Sequence, residues 1–144
     1  MLTVANLMSQ PVRTVSPDTS LMDVLSLMNK YNCRHMPVVE QDKLVGIVTD
    51  RDVRLAMDST IVEIDLAKRI DLLEKSTVKA CMTPNPVTVT PDTPIFRAAE
   101  LLKDHQFGAV PVVEGARLVG IVTVTDFLDY VAVQSRPVAT MSLN

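Results

Sequence analysis

The chain has 144 residues, 47% apolar by the AVILMFWYC count and 22% charged, with a mean hydropathy of +0.22. That is enough apolar material for one domain, or for two half-size units packed together, and it excludes a disordered chain. A formal net charge of −3 and only 3% aromatic residues, none of them Trp, argue against a nucleic-acid partner, which needs a basic footprint and stacking platforms.

The start, Met1 to Met8, lacks the basic and long apolar regions of a signal peptide, and no run approaches the roughly 18 apolar residues of a membrane span. A cytoplasmic protein with no membrane partner is expected, with Cys33 and Cys81 reduced.

Residues 4–52 lie on residues 78–126 at a constant offset of 74, without a gap. Met8 falls on Met82, Pro17-Asp18-Thr19 on Pro91-Asp92-Thr93, and Pro37 to Glu40 on Pro111 to Glu114. Leu44 to Thr49 likewise falls on Leu118 to Thr123, and Asp52 on Asp126. In chain order, each copy reads as strand, helix, strand, turn, strand, helix. Val12 to Val15 is a short β-branched run, closed by Ser16-Pro17-Asp18, which offers a helix start. Leu21, Val24, Leu25 and Met28 then recur at helical spacing, as do Ile95, Ala98, Ala99 and Leu102 in the second copy, giving each helix one buried face.

Met36 to Val39 and Leu44 to Val48 flank a polar turn, Glu40 to Lys43, and predict a hairpin; its counterpart turns at Glu114 to Arg117. These strands are continuously apolar, so both sheet faces should be covered. A helix should start near Asp52 and reach about Ala56. The linker 58–77 is read as partly helical, over Val62 to Leu73. A last helix should run from Thr125 to about Val133 with Leu128 and Val131 inward, ahead of a flexible tail, 134–144. Most of the eight Met are at core spacing, and Lys68-Arg69 reads as a solvated face.

The doubled β-α-β-β-α unit, with Pro-Val-Val, Gly-Ile-Val-Thr and an Asp three residues after that Thr, resembles the tandem CBS-domain pair, or Bateman module. The resemblance covers residues 4–57 and 78–133, with repeat 1 bounded at 1–57. It implies an α/β (α+β) fold in which two pseudo-symmetric repeats pack about a twofold axis. It further implies two clefts that bind adenosine-type ligands such as AMP, ADP, ATP or S-adenosylmethionine, and pairing of modules into a homodimer.

Thr49-Asp-Arg-Asp52 and Thr123-Val-Thr-Asp126 each sit at a strand-to-helix junction. Their spacing fits a capping box, in which Thr and the acid three residues on satisfy each other's backbone N–H. The resemblance adds a second role, a carboxylate that accepts the two hydroxyls of a ribose. It also implies that each cleft mixes the copies. One cleft would join Val12, Cys33, Arg34, His35 and Pro37 with Thr123 and Asp126, and Arg51 would point toward the same phosphate. The other would join Thr49 and Asp52 with Val87, Phe107, Gly108, Ala109 and Pro111, without a basic pair. An asymmetric module is expected, with the phosphorylated nucleotide in the Asp126 cleft.

Cys33, His35, Cys81 and His105 show no zinc-type spacing, so no metal site is expected. Neither an orienter for a Cys33/His35 nucleophile nor a Walker-type loop is evident, so no catalysis and no catalytic cofactor are expected. The reading is a stand-alone regulatory sensor of an adenosine nucleotide, with an effector protein downstream. A structural dimerisation adaptor with vestigial clefts and an S-adenosylmethionine-type sensor are the alternatives.

Overall fold

A computed structural model describes residues 1–58 and 65–137. In chain order the elements are α1 (Val4–Leu7), α2 (Leu21–Tyr31), β1 (His35–Glu40), β2 (Lys43–Thr49), α3 (Asp50–Asp58) and α4 (Leu66–Lys75). There follow α5 (Val78–Cys81), β3 (Thr83–Pro84), α6 (Ile95–Asp104), β4 (Ala109–Glu114), β5 (Arg117–Thr123) and α7 (Val124–Gln134). The expected α/β class and the doubling are both present. Each repeat lays one amphipathic helix on an antiparallel hairpin: α2 buries Leu21, Val24 and Met28, and α6 buries Ala98 and Leu102. The hairpins pair in equivalent registers, His35 with Thr49 and Ala109 with Thr123, each with an irregularity in the middle of its first strand.

The expected first strand is shorter than the sequence suggested. Of Val12 to Val15 only Val15 pairs, in parallel with Val38, and Val89 pairs in the same way with Val112. Pro11, whose peptide bond with Gln10 is cis, lacks an N–H, and a parallel partner is reached only at the end of the run. The helix starts are also shifted by a residue or two. Thr19 turns back to bond the Ser16 N–H, and it is Ser20 that caps α2 by accepting from the Asp23 N–H.

What the sequence does not announce is an exchange between the repeats. The α1 turn lies on the second repeat: the Val4 N–H donates to Thr93 O at 2.8 Å and the Ala5 N–H to Pro91 O at 3.0 Å. Reciprocally, α5 lies on the first repeat, with the Val78 N–H donating to Thr19 O at 2.9 Å and the Lys79 N–H to Pro17 O at 3.0 Å. Val4 is fully buried in the second core, among Val89, Val110, Val112 and Val122, whereas Val78 is fully buried in the first, among Val15, Val24, Val38 and Val48.

The chain beyond each short helix then adds to the other repeat's hairpin. β3 pairs with β2 at Gly46 and Ile47, and Ser9 exchanges two backbone hydrogen bonds with Ile121. The glycine of each Gly-Ile-Val-Thr phrase is required by this crossing. A Cβ on Gly46 would sit 2.6 Å from the Met82 sulfur, and one on Gly120 would sit 2.6 Å from the Met8 sulfur.

Elsewhere the expectations need correction. The linker helix begins at Leu66 and runs to Lys75, and the earlier part of the expected Val62 to Leu73 helix lies outside the described residues. α7 extends to Gln134, and residues 138–144 of the expected tail also fall outside. Leu128 and Val131, expected inward, are 63% and 58% exposed; α7 turns Phe127 toward the core instead. Among the described residues no helix is long and apolar enough to cross a membrane.

Candidate functional site

Two clefts open between the repeats at equivalent positions, with volumes of about 690 and 570 Å³, within the range of small-molecule sites. The local folding that makes them is the same in both halves. A left-handed residue, Asn32 at φ 51 and Gln106 at φ 56, turns the chain out of its helix into the segment ahead of the hairpin. At the hairpin's far end, Thr49 and Thr123 stop the strands and start α3 and α7.

Both Thr/Asp pairs form complete capping boxes. The Thr49 N–H donates to Asp52 Oδ2 at 2.9 Å and the Asp52 N–H to Thr49 Oγ1 at 3.0 Å. The corresponding distances at Thr123 and Asp126 are 2.7 and 3.2 Å. Each hydroxyl keeps its own O–H free to donate, and each carboxylate keeps its second oxygen.

Of the residues expected in the first cleft, Val12, Cys33, Arg34, His35 and Thr123 line it. Three do not. Pro37 is fully buried within β1, Asp126 is half-buried beside the lining residue Thr123 with one carboxylate oxygen on the Thr123 N–H, and Arg51 lines the second cleft. Arg51 follows the strand on the first turn of α3, so it belongs with Thr49 and Asp52 rather than across the axis.

The sequence reading missed Arg13 and Tyr31, which line the first cleft with Thr125. The Arg13 guanidinium lies 3.4 Å above the centre of the Tyr31 ring, a cation–π contact that holds it flat against the wall. The signal was available, because the offset between the repeats puts Val87, chosen for the second cleft, opposite Arg13.

All seven residues expected in the second cleft line it: Thr49, Asp52, Val87, Phe107, Gly108, Ala109 and Pro111. Its charge was misjudged, however. Arg51 and Arg54 reach it from α3, and Asp50 joins Asp52, with Arg54 3.8 Å from the Asp50 carboxylate. Phe107 is held by stacking on His105, ring centres 5.0 Å apart, at the position equivalent to Tyr31. The first cleft thus carries two guanidiniums, Arg13 and Arg34, and no carboxylate in its wall, whereas the second carries three guanidiniums and two carboxylates.

Burial lowers the His35 pKa below its usual value; Arg34 acts in the same direction, against Asp50 and Asp52. The imidazole is therefore held in its neutral form near pH 7, and it occupies the space that a Cβ on Gly108 would need. Burial pushes the Cys33 thiol up, opposed by Arg13, and raises Cys81 with help from Asp52, so both favour the unreactive thiol. No three His, Cys, Asp or Glu side chains come together as a metal site among the described residues.

A doubled α/β unit with exchanged arms and two inter-repeat clefts defines the class, and comparison with known proteins agrees. The CBS domain family profile matches residues 4–59 and 78–133, and the chain belongs to that family as a tandem pair. A CBS domain-containing protein of Dictyostelium discoideum is 37% identical over 141 residues, covering 96% of this chain and 97% of that protein. The crystal structure of CBSX2 in complex with AMP matches with a TM-score of 0.77 and 32% identity, over 94% of this chain and 100% of that one. The CBS domain pair of MJ0100, in complex with 5′-methylthioadenosine and S-adenosyl-L-methionine, matches with a TM-score of 0.75 and 31% identity, over 90% and 99%.

Proposed function

We propose that the protein is a stand-alone regulatory module, without catalytic activity, that binds an adenosine nucleotide in the first cleft. The observation that carries this reading is the pair Arg13 and Arg34 in a wall that holds no carboxylate, beside the Thr123 hydroxyl. Two planar, permanently charged forks suit a phosphate, and Val12, Pro11 and Ile121 give an apolar surface for a base. Asp126 keeps one carboxylate oxygen for a ribose hydroxyl while the other holds the cap. The AMP bound by CBSX2 and the S-adenosylmethionine and methylthioadenosine bound by the MJ0100 pair support an adenosine-type ligand. The second cleft, with its carboxylates, suits a less anionic adenosine compound.

The module acts in the cytoplasm and passes its occupancy to an effector protein through a dimer. Leu128 and Val131 on α7 and Leu55 on α3, at 55% exposure, are exposed apolar positions suited to cover by a second copy of this chain. The same positions support the dimerisation adaptor reading if the clefts prove empty.

Thermal denaturation with AMP, ADP, ATP and S-adenosylmethionine tests the reading, on the parent and on Asp126→Asn and Asp52→Asn, which retain an acceptor for the cap. At about 100 times the dissociation constant a ligand adds roughly 2.7 kcal/mol of stability. A melting shift with a nucleotide that shrinks most in Asp126→Asn is expected. No shift with any of the four ligands would leave only the adaptor.

A further inference from the structure

The two clefts are not separated by a thick wall. Three residues line both of them: Arg34, His35 and Gly108. The reason lies in a place where the repeats differ. Ahead of its hairpin the first repeat carries Arg34-His35, and the second carries Gly108-Ala109 at the equivalent positions. Because position 108 has no side chain, the His35 imidazole lies directly on its backbone, and the partition between the clefts is one ring and one peptide deep.

Arg34 stands at this partition. Its side chain is exposed, and it makes no hydrogen bond or ion pair with any described residue, so it is free to turn to either side. Of the other cleft guanidiniums, Arg13 is held on Tyr31 in the first cleft, Arg54 lies beside Asp50 in the second, and Arg51 lines the second only.

We propose that Arg34 couples the two clefts negatively for phosphate-bearing ligands, because one guanidinium at a shared partition can serve only one of two phosphates. This inference rests on the reading that the clefts hold adenosine ligands. A phosphate in the first cleft commits the planar fork of Arg34 to that side. A second phosphate then enters the other cleft without Arg34, beside Asp50 and Asp52. An adenosine compound without phosphate does not compete, so the module accepts one nucleotide together with one uncharged ligand more readily than two nucleotides. Linkage makes the penalty the same whichever cleft fills first.

The test uses a matched pair of blocked variants. Ser9 and Thr83 are equivalent and exposed, each lines one cleft only, and both pair with their neighbours through the backbone, so Ser9→Trp fills the first cleft and Thr83→Trp the second. Calorimetric titrations with AMP and with adenosine are run on the parent, on both blocked variants, and on Arg34→Gln alone and combined with each block. AMP is expected to bind each blocked variant with its single-cleft affinity, and the parent's second AMP to bind at least about fivefold more weakly than the remaining cleft does alone. Adenosine should show no such difference, and Arg34→Gln should abolish it for AMP.

Equal AMP affinities with the neighbouring cleft filled or blocked would overturn the coupling while leaving the sensor reading intact. So would a fivefold penalty that survives Arg34→Gln, or a second cleft that takes no AMP even in Ser9→Trp. Should a blocked variant fail to fold, the parent and Arg34→Gln isotherms decide alone: the gap between first and second AMP affinities must exceed that for adenosine in the parent and shrink to it in Arg34→Gln, and a gap that the substitution leaves unchanged would overturn the coupling. Absence of binding by any adenosine ligand would overturn both the coupling and the reading beneath it.

Discussion

The two clefts occupy equivalent positions in a duplicated chain, yet they collect their positive charge from opposite walls. In the first it comes from the strand-entry and pre-hairpin segments, Arg13 and Arg34, and the helix wall offers Val124 and Thr125. In the second, beyond the shared Arg34, it comes from the helix wall, Arg51 and Arg54, mixed with Asp50 and Asp52, while the strand-entry wall offers Pro86 and Val87. The capping boxes beneath are the same in both. Duplication has kept the parts that hold the backbone in place and has let the charged positions diverge, so one scaffold presents two chemically different recesses. The cores beneath them diverge as well: Leu21 is buried to 1% exposure, whereas its counterpart Ile95 stays partly open at the edge of α6.

The largest expected effect tests that difference in packing. Leu21→Ala should cost about 2–5 kcal/mol of stability in chemical denaturation, and Ile95→Ala distinctly less; equal losses would show that the halves are packed alike. A smaller effect, about 1–3 kcal/mol, is expected of Gly108→Ala, whose methyl group would force the His35 ring off the partition. That substitution should also weaken ligand binding in both clefts, measured by calorimetry, and a loss confined to one would mean that the partition is not shared.

The smallest effect concerns pH. The folded His35 pKa lies below the ordinary 6.5, so the unfolded chain takes up a proton more readily, and stability present above that pH is lost as pH falls through the folded value. Denaturation midpoints measured downward from pH 7, before the carboxylates titrate, should fall in the parent and stay flatter in His35→Gln. Parallel curves would remove the buried imidazole from the partition.

Much of this architecture is readable in the residues. The offset that carries Met8 onto Met82 gives the duplication, the apolar spacings of Leu21 to Met28 and Ile95 to Leu102 give the helices, and the apolar runs around Glu40 and Glu114 give the hairpins. The arms α1 and α5 escape because a single turn of four residues is shorter than any periodic pattern, and because their partners lie far away in the chain. Thr49, Asp52, Thr123 and Asp126 were legible as caps from their spacing. The cleft set came from the family resemblance, and its errors were those of local geometry. Arg51 is adjacent to Asp52 in sequence and shares its cleft, and Arg13 was passed over although its counterpart Val87 was not. Leu128 and Val131 had the spacing of a buried stripe, but spacing identifies a face and not what covers it.

The exchanged arms bear on how the molecule comes apart. Val4 completes the core of the second repeat and Val78 that of the first, so loss of order in either half withdraws a buried residue and a hairpin partner from the other. Two repeats linked in this way are expected to melt as a single cooperative unit rather than in sequence, with one transition in calorimetry. Free energy gained by a molecule bound in one cleft would then be shared by the whole chain, including Leu128 and Val131 of α7, which line neither cleft.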